Sequence, residues 1–446
     1  MPKMHAIILG AGPAGLAAAL ALHQQSTEES PIQVTVLELR PSIQTLGGAV
    51  NLTPLAMRYL DALAVGPRLR PLGVKVSYID MLSHRTGSSL GRLWPDVDAI
   101  RVLRHNLVEA MVETAHAVPD DQVLLRFGTK VTSIQELGDA SGEGSVKVCL
   151  TDTATGHEET LQADIILGCD GIHSYVRSSV VEPDRQKTYS GRATAYGYIP
   201  VETPGDAGIT TADGSPAVKV STLVTAQLGS MLVTFFEPSL KKLYLATVIA
   251  QPEKPDGRDG KEARGQEKEE VKKDFLRRFR GGKLAGLEGV VERCEEWVSF
   301  PVYMLPPGGV WSKGRALLLG DAAHAVCSPW QRSFPPFLEL QLTCEQMPPQ
   351  GESTGVAIED AVLLARVISR RDTRSVAQMF ADYEVLRRPV IKKAYDECMF
   401  RWSKVGDKSW LGTVVMDFLT LLVVWGMNKW SKGSFGRDVR TLDLPV

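Results

Sequence analysis

The first forty residues change their hydrophobic period twice. The stretch HAIILGAGPAGLAAALALHQQ begins as a short apolar run, passes through closely spaced glycines and continues as an Ala/Leu-rich segment. This order is typical of a buried strand, a tight turn and a helix. The following IQVTVLELR is rich in β-branched residues, which favour a second strand. The N-terminus therefore predicts a βαβ unit.

Later segments continue in the same alternating manner. RHNLVEAMVETAHA has apolar residues at helical spacing, whereas VLLRFGTKVTSIQEL, SVKVCLTD and TLQADIILGCDG predict strands separated by Gly and Asp turns. Strand-like alternation fills most of 188–302 and predicts a separate sheet. RALLLGDAAHA predicts one more buried strand that enters a turn, and GVAIEDAVLLARVISRR predicts an amphipathic helix.

The C-terminal segment WLGTVVMDFLTLLVVWGMNKW is strongly apolar but carries Asp417. Its charge-free part, Phe418 to Asn428, is shorter than the ~20 residues that a spanning helix needs. A helix packed on the protein body is the main interpretation. A helix lying on a membrane surface is the alternative, because four lysines flank the segment: Lys404, Lys408, Lys429 and Lys432. A true membrane span is the third interpretation.

Composition excludes several classes of function. The chain has 446 residues, which is more than a single hydrophobic core usually contains, so we expect two domains or one large two-part fold. Its content of 44% hydrophobic and 23% charged residues is ordinary for a soluble globular protein. A formal net charge of −2 gives no support to a nucleic-acid partner. Six cysteines without paired spacing indicate neither a disulfide framework nor a metal site. With no signal-peptide pattern at the N-terminus, we expect a reducing compartment, the cytoplasm.

The glycine turn has the spacing G-x-G-x-x-G, formed by Gly10, Gly12 and Gly15 between a strand and a helix. The first glycine permits the tight turn, the second lets a pyrophosphate approach the backbone, and the third lets the helix pack on the strand. Free N–H groups at the helix start favour phosphate. Glu38, at the end of the second strand, is placed to accept a hydrogen bond from a ribose hydroxyl. The motif predicts dinucleotide binding but does not say which dinucleotide.

The predicted fold class is therefore α/β, with a Rossmann-like domain, a mixed-sheet domain and C-terminal helices. We expect the first domain to occupy 1–187 and 303–390, the sheet domain 188–302, and a helical segment 391–446. Within the sheet domain, 252–274 is dense in charge, Gly and Pro, and predicts a solvated loop that gives way to a helix near Val271.

Two further motifs, GCDGIHSYVR and RALLLGDAAHA, follow predicted strands. With the glycine turn, in this order and spacing, they resemble the single-component FAD-dependent aromatic hydroxylases of the para-hydroxybenzoate and salicylate hydroxylase type. The resemblance extends to about Pro389. GGAVNLTPLAMRYLDALAVG and PPQGESTGVAIEDAVLLARVI are most similar to the branch found in fungal secondary metabolism. The resemblance implies an FAD-binding domain and a substrate-binding sheet.

The resemblance also implies roles for individual residues. It places the pyrophosphate on the glycine turn, the FAD ribose on Glu38, and the FAD phosphate and ribose region beside Arg104. It implies that Asp170 contacts FAD and the nicotinamide, and that Asp321 binds the ribitol or pyrophosphate. Backbone next to the flavin comes from three further positions: Ala49, Gly351 and Gly355. The alternatives are turn or cap residues for both aspartates and a solvated helix charge for Arg104.

By the same resemblance, NAD(P)H binds briefly and reduces the flavin, O₂ forms a C4a-hydroperoxyflavin, and one oxygen passes to an electron-rich ring. The absence of a second G-x-G-x-x-G agrees with a dissociable nicotinamide. Some relatives hold a phenolate with an Arg where this chain has Gly197, between Tyr196 and Tyr198. This difference makes an anionic substrate doubtful and makes Tyr198 the candidate catalytic residue, although a core aromatic is the alternative.

Two other functions remain open at this point. One is an FAD-binding protein without hydroxylase activity, and the other is an FAD-dependent epoxidase or oxidase acting on a terpenoid. The substrate expected for a hydroxylase is an aromatic, polyketide or terpenoid small molecule, with O₂ as the second partner.

One interval interrupts the third motif. Removing Val326 to Gln346 joins Ala325 to Met347 and gives GDAAHAMPPQGESTGVAIEDA, the continuous loop of the family. The interval has neither helical nor strand periodicity. Its first and last codons are compatible with splice sites, and its length is in frame. We interpret it as a translated intron, with a genuine loop insertion as the alternative.

Overall fold

The computed structural model describes residues 4–44, 48–93, 97–138, 144–236, 241–253, 266–325, 352–404, 409–430 and 436–445. Two large sheets organise these residues, and helices cover them. The predicted α/β class, with a Rossmann-like part, a second mixed sheet and C-terminal helices, is confirmed.

The first large sheet has six strands and forms the Rossmann-like part. All neighbouring strands are parallel except the pair at one edge. From that edge the order is β18 (Ser312–Lys313), β19 (Ala316–Leu318), β12 (Ile165–Gly168), β1 (Met4–Leu9), β2 (Ile32–Leu37) and β8 (Val123–Arg126). The three motifs follow β1, β12 and β19, so their turns meet at the carboxyl edge of neighbouring parallel strands.

Three helices belong to this part. They are α1 (Pro13–Gln24), α4 (Arg104–His116) and α7 (Glu352–Ile368). The helix α1 lies between α4 and α7, and its residues from Gly15 to Leu22 are all buried. Its Ala-rich sequence suits this position, because small side chains allow close approach on every side.

The second large sheet has seven strands in the order β17 (Trp297–Met304), β13 (Thr188–Pro200), β16 (Lys242–Ala250), β15 (Gly229–Phe236), β14 (Ser221–Ala226), β5 (Ile79–Ser83) and β6 (Ser89–Leu93). The sequence predicts a separate sheet within 188–302, but β5 and β6 come from the preceding part of the chain. The difference arises because β5 joins β14 by a parallel pairing between residues distant in sequence. Local periodicity does not encode such a partner.

One face of this sheet is covered by α5 (Gln266–Phe279) and α6 (Leu287–Arg293). The opposite face meets a small sheet made of β3 (Ala49–Leu52), β7 (Ala99–Leu103) and β4 (Val74–Val76). The helix that the sequence predicts near Val271 is α5, which begins at Gln266. Another small sheet contains β9 (Thr129–Leu137), β10 (Ser145–Asp152) and β11 (Glu158–Ala163), and two helices follow β3: α2 (Pro54–Ala62) and α3 (Gly66–Leu69).

The C-terminal part contains α8 (Val376–Lys404), which continues through Pro389, and α9 (Trp410–Trp430). Across the part of the chain that the structure describes, no helix combines the length and apolar character that a membrane span requires.

A buried ion cluster joins α7 to α8. The Arg387 guanidinium is fully buried and donates hydrogen bonds to the carboxylates of Asp360 and Glu359 and to the carbonyl of Val356. The Asp360 carboxylate also accepts a hydrogen bond from the N–H of Gly320 at 3.0 Å. Burial would raise the pKa of Asp360, but the charge of Arg387 and nearby His324 outweigh it, and the pKa lies below its ordinary value.

We expect Arg387→Ala to lower the free energy of unfolding by about 3–5 kcal/mol, because two buried carboxylates lose the guanidinium between them and only Glu359 keeps a second ion pair, with Arg437. Urea denaturation followed by circular dichroism measures this change. The matched control is Lys392→Ala on the same helix, which removes an exposed ion pair with Asp396 and should change little. Equal midpoints and slopes for the two variants would contradict a stabilising role for the cluster.

Candidate functional site

The glycine turn after β1 is fixed by close packing at two of its three glycines. Gly10 has φ +98°, and a Cβ atom there would lie 2.6 Å from the carbonyl oxygen of Cys169. A Cβ atom on Gly15 would lie 1.9 Å from the carbonyl oxygen of Gly10. Only glycine fits at either position, and α1 consequently begins in direct contact with the end of β1.

Gly12 differs from the other two glycines because its surroundings are open. A Cβ atom built on it would meet nothing within 4 Å. Gly12 is the N-cap of α1, no side chain caps the helix there, and Pro13 follows it. The N-terminal N–H groups of α1 are thus not capped by a side chain, which is the arrangement that binds phosphate oxygens.

Glu38 lies at the end of β2, beside this turn. Its Oε2 accepts a hydrogen bond from the N–H of Ala11 at 3.0 Å, and its Oε1 accepts one from the N–H of Arg40. The carboxylate therefore lies next to the glycine turn, and its role toward a ribose stays a prediction. It also holds the turn in place.

Asp170 follows β12 and packs on the same turn, since its Cα lies 3.0 Å from a Cβ built on Gly10. Its Oδ2 accepts a hydrogen bond from the N–H of Tyr175 at 2.6 Å, as a turn-capping residue does. Its Oδ1 is buried and has no hydrogen-bond partner among the described residues. Burial raises the pKa of this carboxyl.

Asp321 occupies the turn after β19, between the buried residues Gly320 and Ala322. Its own side chain opens to solvent, although protein atoms surround it closely enough for desolvation to raise its pKa. The charge of Arg104, the first residue of α4, acts in the opposite direction. Arg104 and Asp321 are therefore brought to one side of the site by two different motifs.

The remaining predicted positions are backbone sites. Ala49 packs against the apolar cluster of the second large sheet that contains Tyr244, and a Cβ atom on the preceding residue, Gly48, would lie 2.7 Å from the Tyr244 hydroxyl. Gly355 packs on α2, because a Cβ atom there would lie 3.2 Å from the Cβ of Ala56. Gly351 falls outside the described residues.

These residues fit a dinucleotide. The uncapped start of α1 and the open space over Gly12 suit a pyrophosphate, and the Glu38 carboxylate suits a ribose hydroxyl. The buried, unpartnered Oδ1 of Asp170 and the solvent-open carboxylate of Asp321 offer further acceptors beside the turn.

A row of polar side chains crosses the second large sheet on the face that meets Ala49. Tyr198 is paired with Tyr244, Tyr244 with Thr234, and Thr234 with Ser221 on four successive strands. The rings of Tyr198 and Tyr244 are 5.2 Å apart, and Tyr196 and Phe300 stack beside them. Tyr196, Tyr198, Tyr244 and Phe300 thus form an aromatic wall next to the Rossmann-like part.

Arg101 completes this row, and the sequence motifs do not single it out. It is 1% exposed, and it donates hydrogen bonds to Asn51, Ser221 and Thr234. Its Nη2 has no partner among the described residues, and the structure places no carboxylate in an ion pair with it there. Burial lowers its pKa to about 10, so it is a cation at neutral pH. The available signal was one charge inside the apolar run AIRVL.

Gly197 lies on the opposite face of the sheet. A Cβ atom there would lie 2.4 Å from Sγ of Cys294 and 3.1 Å from the ring of Trp297. A side chain at this position points toward α6 and not toward the aromatic wall. The doubt about an anionic substrate, which rested on the absence of an Arg at Gly197, therefore loses its basis.

Comparison with known proteins decides which dinucleotide the turn serves. The sequence profile of the FAD binding domain family matches residues 3–331. The chain belongs to this family. It is 25% identical over 422 residues to the 6-hydroxynicotinate 3-monooxygenase of Pseudomonas fluorescens, covering 90% of this chain and 93% of that protein. It is 26% identical over 407 residues to a salicylate hydroxylase of Pseudomonas putida, covering 87% and 82%.

The fold is shared with solved structures. The crystal structure of Klebsiella pneumoniae HpxO complexed with FAD and uric acid has a TM-score of 0.69 at 20% identity and covers 96% of both chains. FAD is thus the cofactor of the chain, and its class is that of the FAD-dependent monooxygenases, as the three sequence motifs predict.

The interval 326–346, interpreted as a translated intron, lies outside the described residues, which end at Ala325 and resume at Glu352. The N–H of Gly320 bonds to Asp360, and the Nε2 of His324 lies 2.9 Å from the same carboxylate. A Cβ atom on Gly320 would lie 3.3 Å from the Cβ of Ala357. The described segments on the two sides of the gap, up to Ala325 and from Glu352, therefore pack against each other.

We expect Gly12→Ala to weaken FAD binding at least tenfold without unfolding the protein. The added methyl group has free space and an extended backbone in the protein itself, but it occupies the approach to the pyrophosphate. Titration of the apoprotein with FAD, monitored by flavin fluorescence, measures the change. Gly289→Ala on α6, where a Cβ atom also meets nothing, is the control. Equal affinities in the two variants would contradict the placement of the pyrophosphate.

We expect a chain lacking Val326–Gln346 to contain more bound flavin per protein than the full chain. The reason is that the deletion restores a short loop between flanks already packed together. Flavin absorbance of the two purified proteins, together with sequencing of the mature transcript, gives the answer. A transcript that carries these codons as its main form, with equal FAD affinity in both proteins, would establish a genuine insertion.

Proposed function

We propose that the protein hydroxylates an aromatic small molecule, with NAD(P)H and O₂ as cosubstrates, in the biosynthesis of a secondary metabolite. The supporting observation is the aromatic wall of Tyr196, Tyr198, Tyr244 and Phe300, which meets the flavin-binding part at Ala49. Such a wall offers ring contacts to a planar substrate and excludes water from it.

When bound, FAD supplies the two-electron chemistry by which NAD(P)H and O₂ give one oxygen atom to the substrate and the other to water. The chain's own residues bind and orient. The start of α1 holds the pyrophosphate, Glu38 holds the ribose, and Arg104 and Asp321 lie along the rest of the cofactor. The Oδ1 of Asp170 is available for a further hydrogen bond from the cofactor or the nicotinamide.

Tyr198 acts as a hydrogen-bond donor in this proposal. Burial and the neighbouring tyrosines raise the pKa of Tyr198, and burial with Tyr196 also raises the pKa of Tyr244. Both hydroxyls therefore keep their protons at neutral pH. The Tyr244 hydroxyl lies against the backbone at Gly48, next to Ala49. Tyr198 is consequently a group that orients a substrate oxygen, not a base.

Arg101 adds a positive charge to the same face. A buried guanidinium held only by neutral oxygens carries an uncompensated charge, and a carboxylate or phenolate is the group that compensates it. The row Tyr198, Tyr244, Thr234 and Ser221 leads from the aromatic wall to Arg101. We therefore extend the proposal to a substrate that carries an acidic group.

A polyketide or terpenoid substrate, a cytoplasmic location and a fungal secondary-metabolism setting remain parts of the proposal. The curated relatives named above come from Pseudomonas species. An FAD-dependent epoxidase or oxidase is the second candidate, since the aromatic wall also accommodates a cyclic alkene. The third candidate is a protein that binds FAD but has no hydroxylase activity. This function is expected if the interval 326–346 is translated and disturbs the loop that follows β19.

We expect the protein to consume NAD(P)H faster when an aromatic acid is added and to form a product heavier by one oxygen atom. Mass spectrometry with ¹⁸O₂ assigns the source of that atom. Tyr198→Phe should keep FAD binding but lower the ratio of product to NAD(P)H consumed, because the substrate loses its donor. NAD(P)H consumption that yields only hydrogen peroxide with every aromatic compound would favour an oxidase.

We expect Arg101→Gln to raise KM for an aromatic acid about 10- to 100-fold, which corresponds to the loss of one charge-assisted hydrogen bond. KM for the matching neutral phenol should change little. FAD content and thermal unfolding show whether the variant is folded. Arg101→Lys, which keeps the charge, is expected to retain part of the affinity. Equal effects on the acid and the neutral phenol would contradict a role in anion binding.

A further inference from the structure

The helix α9 has its polar side chains turned inward. Its buried residues are Thr413, Asp417, Thr420 and Val424, which share one side of the helix by their spacing. The opposite side consists of large apolar residues, all exposed: Leu411, Val415, Phe418, Leu422 and Trp425. A helix on the surface of a soluble protein normally shows the reverse arrangement.

The inward polar groups are satisfied, so this orientation is well defined. The Asp417 carboxylate accepts hydrogen bonds from Ser83 at 2.8 Å and from Arg85 at 2.7 Å. Thr413 and Thr420 donate to the backbone carbonyls of Ser409 and Met416 on the helix itself. The ion pair with Arg85 holds the apolar face of α9 outward.

Packing at the other end of the helix has the same effect. Val424 contacts the β6 backbone at Gly91, because a Cβ atom built on Gly91 would lie 2.8 Å from Cγ1 of Val424. Gly91 has φ +114°, a conformation that glycine adopts readily. The helix therefore lies across the β6 edge of the second large sheet, and Val424 belongs to the same apolar cluster as Tyr196 and Tyr244.

The size of the exposed face decides against a second copy of the chain. A 21-residue helix is about 30 Å long, and a stripe about 10 Å wide on it offers roughly 300 Å². A stable interface needs about 800 Å² on each partner. A lipid surface has no such minimum, because a helix can lie in its plane with the apolar side immersed by ~5–10 Å.

Charge and residue type agree with lipid as the occupant. Between 401 and 440 the sequence has seven basic and three acidic residues. Asp417 is paired with Arg85, Asp438 with Arg440, and Arg437 with Glu359, and setting these pairs aside leaves five basic residues and one acidic residue in this interval. Trp410 and Trp425 lie exposed near the two ends of the face, and tryptophan favours the boundary between headgroups and acyl chains. The excess positive charge matches anionic headgroups.

We propose that the outward face of α9 docks on an anionic lipid surface and holds the protein there as a peripheral, non-spanning enzyme. This inference does not depend on the substrate or on the hydroxylation reaction.

Flotation of the full-length, FAD-loaded protein with lipid vesicles tests the proposal. We expect binding to phosphatidylcholine vesicles containing about one-third phosphatidylserine, weaker binding to pure phosphatidylcholine, and release by high salt and by carbonate. The double variant Phe418→Ser/Trp425→Ser should bind at least tenfold more weakly, with its FAD content unchanged. Val385→Ser on α8 is the matched control, because Val385 is equally exposed but lies outside this face, and it should bind like the unaltered protein.

Four results would overturn the proposal. One is no flotation with either vesicle. Another is equal flotation of the double variant and the control. The third is a dimer in solution that the double variant converts to a monomer, which would assign the face to a second copy. Resistance to carbonate extraction would refute the peripheral mode of attachment.

Discussion

The Asp360 carboxylate is the point at which the parts of the flavin site are held together. It neutralises the fully buried Arg387 of α8, and it accepts the N–H of Gly320 next to Asp321. Because Asp360 belongs to α7, one side chain links two helices to the turn after β19. The turn after β1 is joined to the same place by contact, since Gly320 packs between Ala14 and Ala357. The site thus depends on the ion pair between Arg387 and Asp360.

The second constraint is the contact between the two large parts of the fold. Tyr244 provides it from the seven-stranded sheet, because its hydroxyl packs against the backbone at Gly48, next to Ala49. Arg101 provides a second contact from the small sheet of β3, β7 and β4, because it donates hydrogen bonds to Ser221 and Thr234 of the seven-stranded sheet. Polar groups buried at such a contact must meet in one geometry to be satisfied. They therefore set where the aromatic wall lies relative to the flavin-binding turn, which apolar packing alone would leave less specific.

The sequence predicted best what depends on neighbours in the chain. The βαβ unit, the glycine turn and Glu38 follow from spacing within about thirty residues, and the structure places them together. Arg101 could not be found in this way, because its partners Ser221 and Thr234 are more than a hundred residues away. The sequence also could not show on which face of the sheet Gly197 lies. A register change of one residue reverses it, and a single sequence does not fix the register.

The helix α9 shows why the polarity of a segment has to be judged together with its partners. In the sequence, Asp417 interrupts an apolar run and argues against a membrane span. In the fold, the same residue is bound by Arg85 and Ser83 on the protein side, so its charge no longer opposes contact with an apolar phase on the other side. One acidic residue therefore has two consequences. It prevents insertion of the helix across a bilayer, and it fixes the rotation that leaves Phe418 and Trp425 outward.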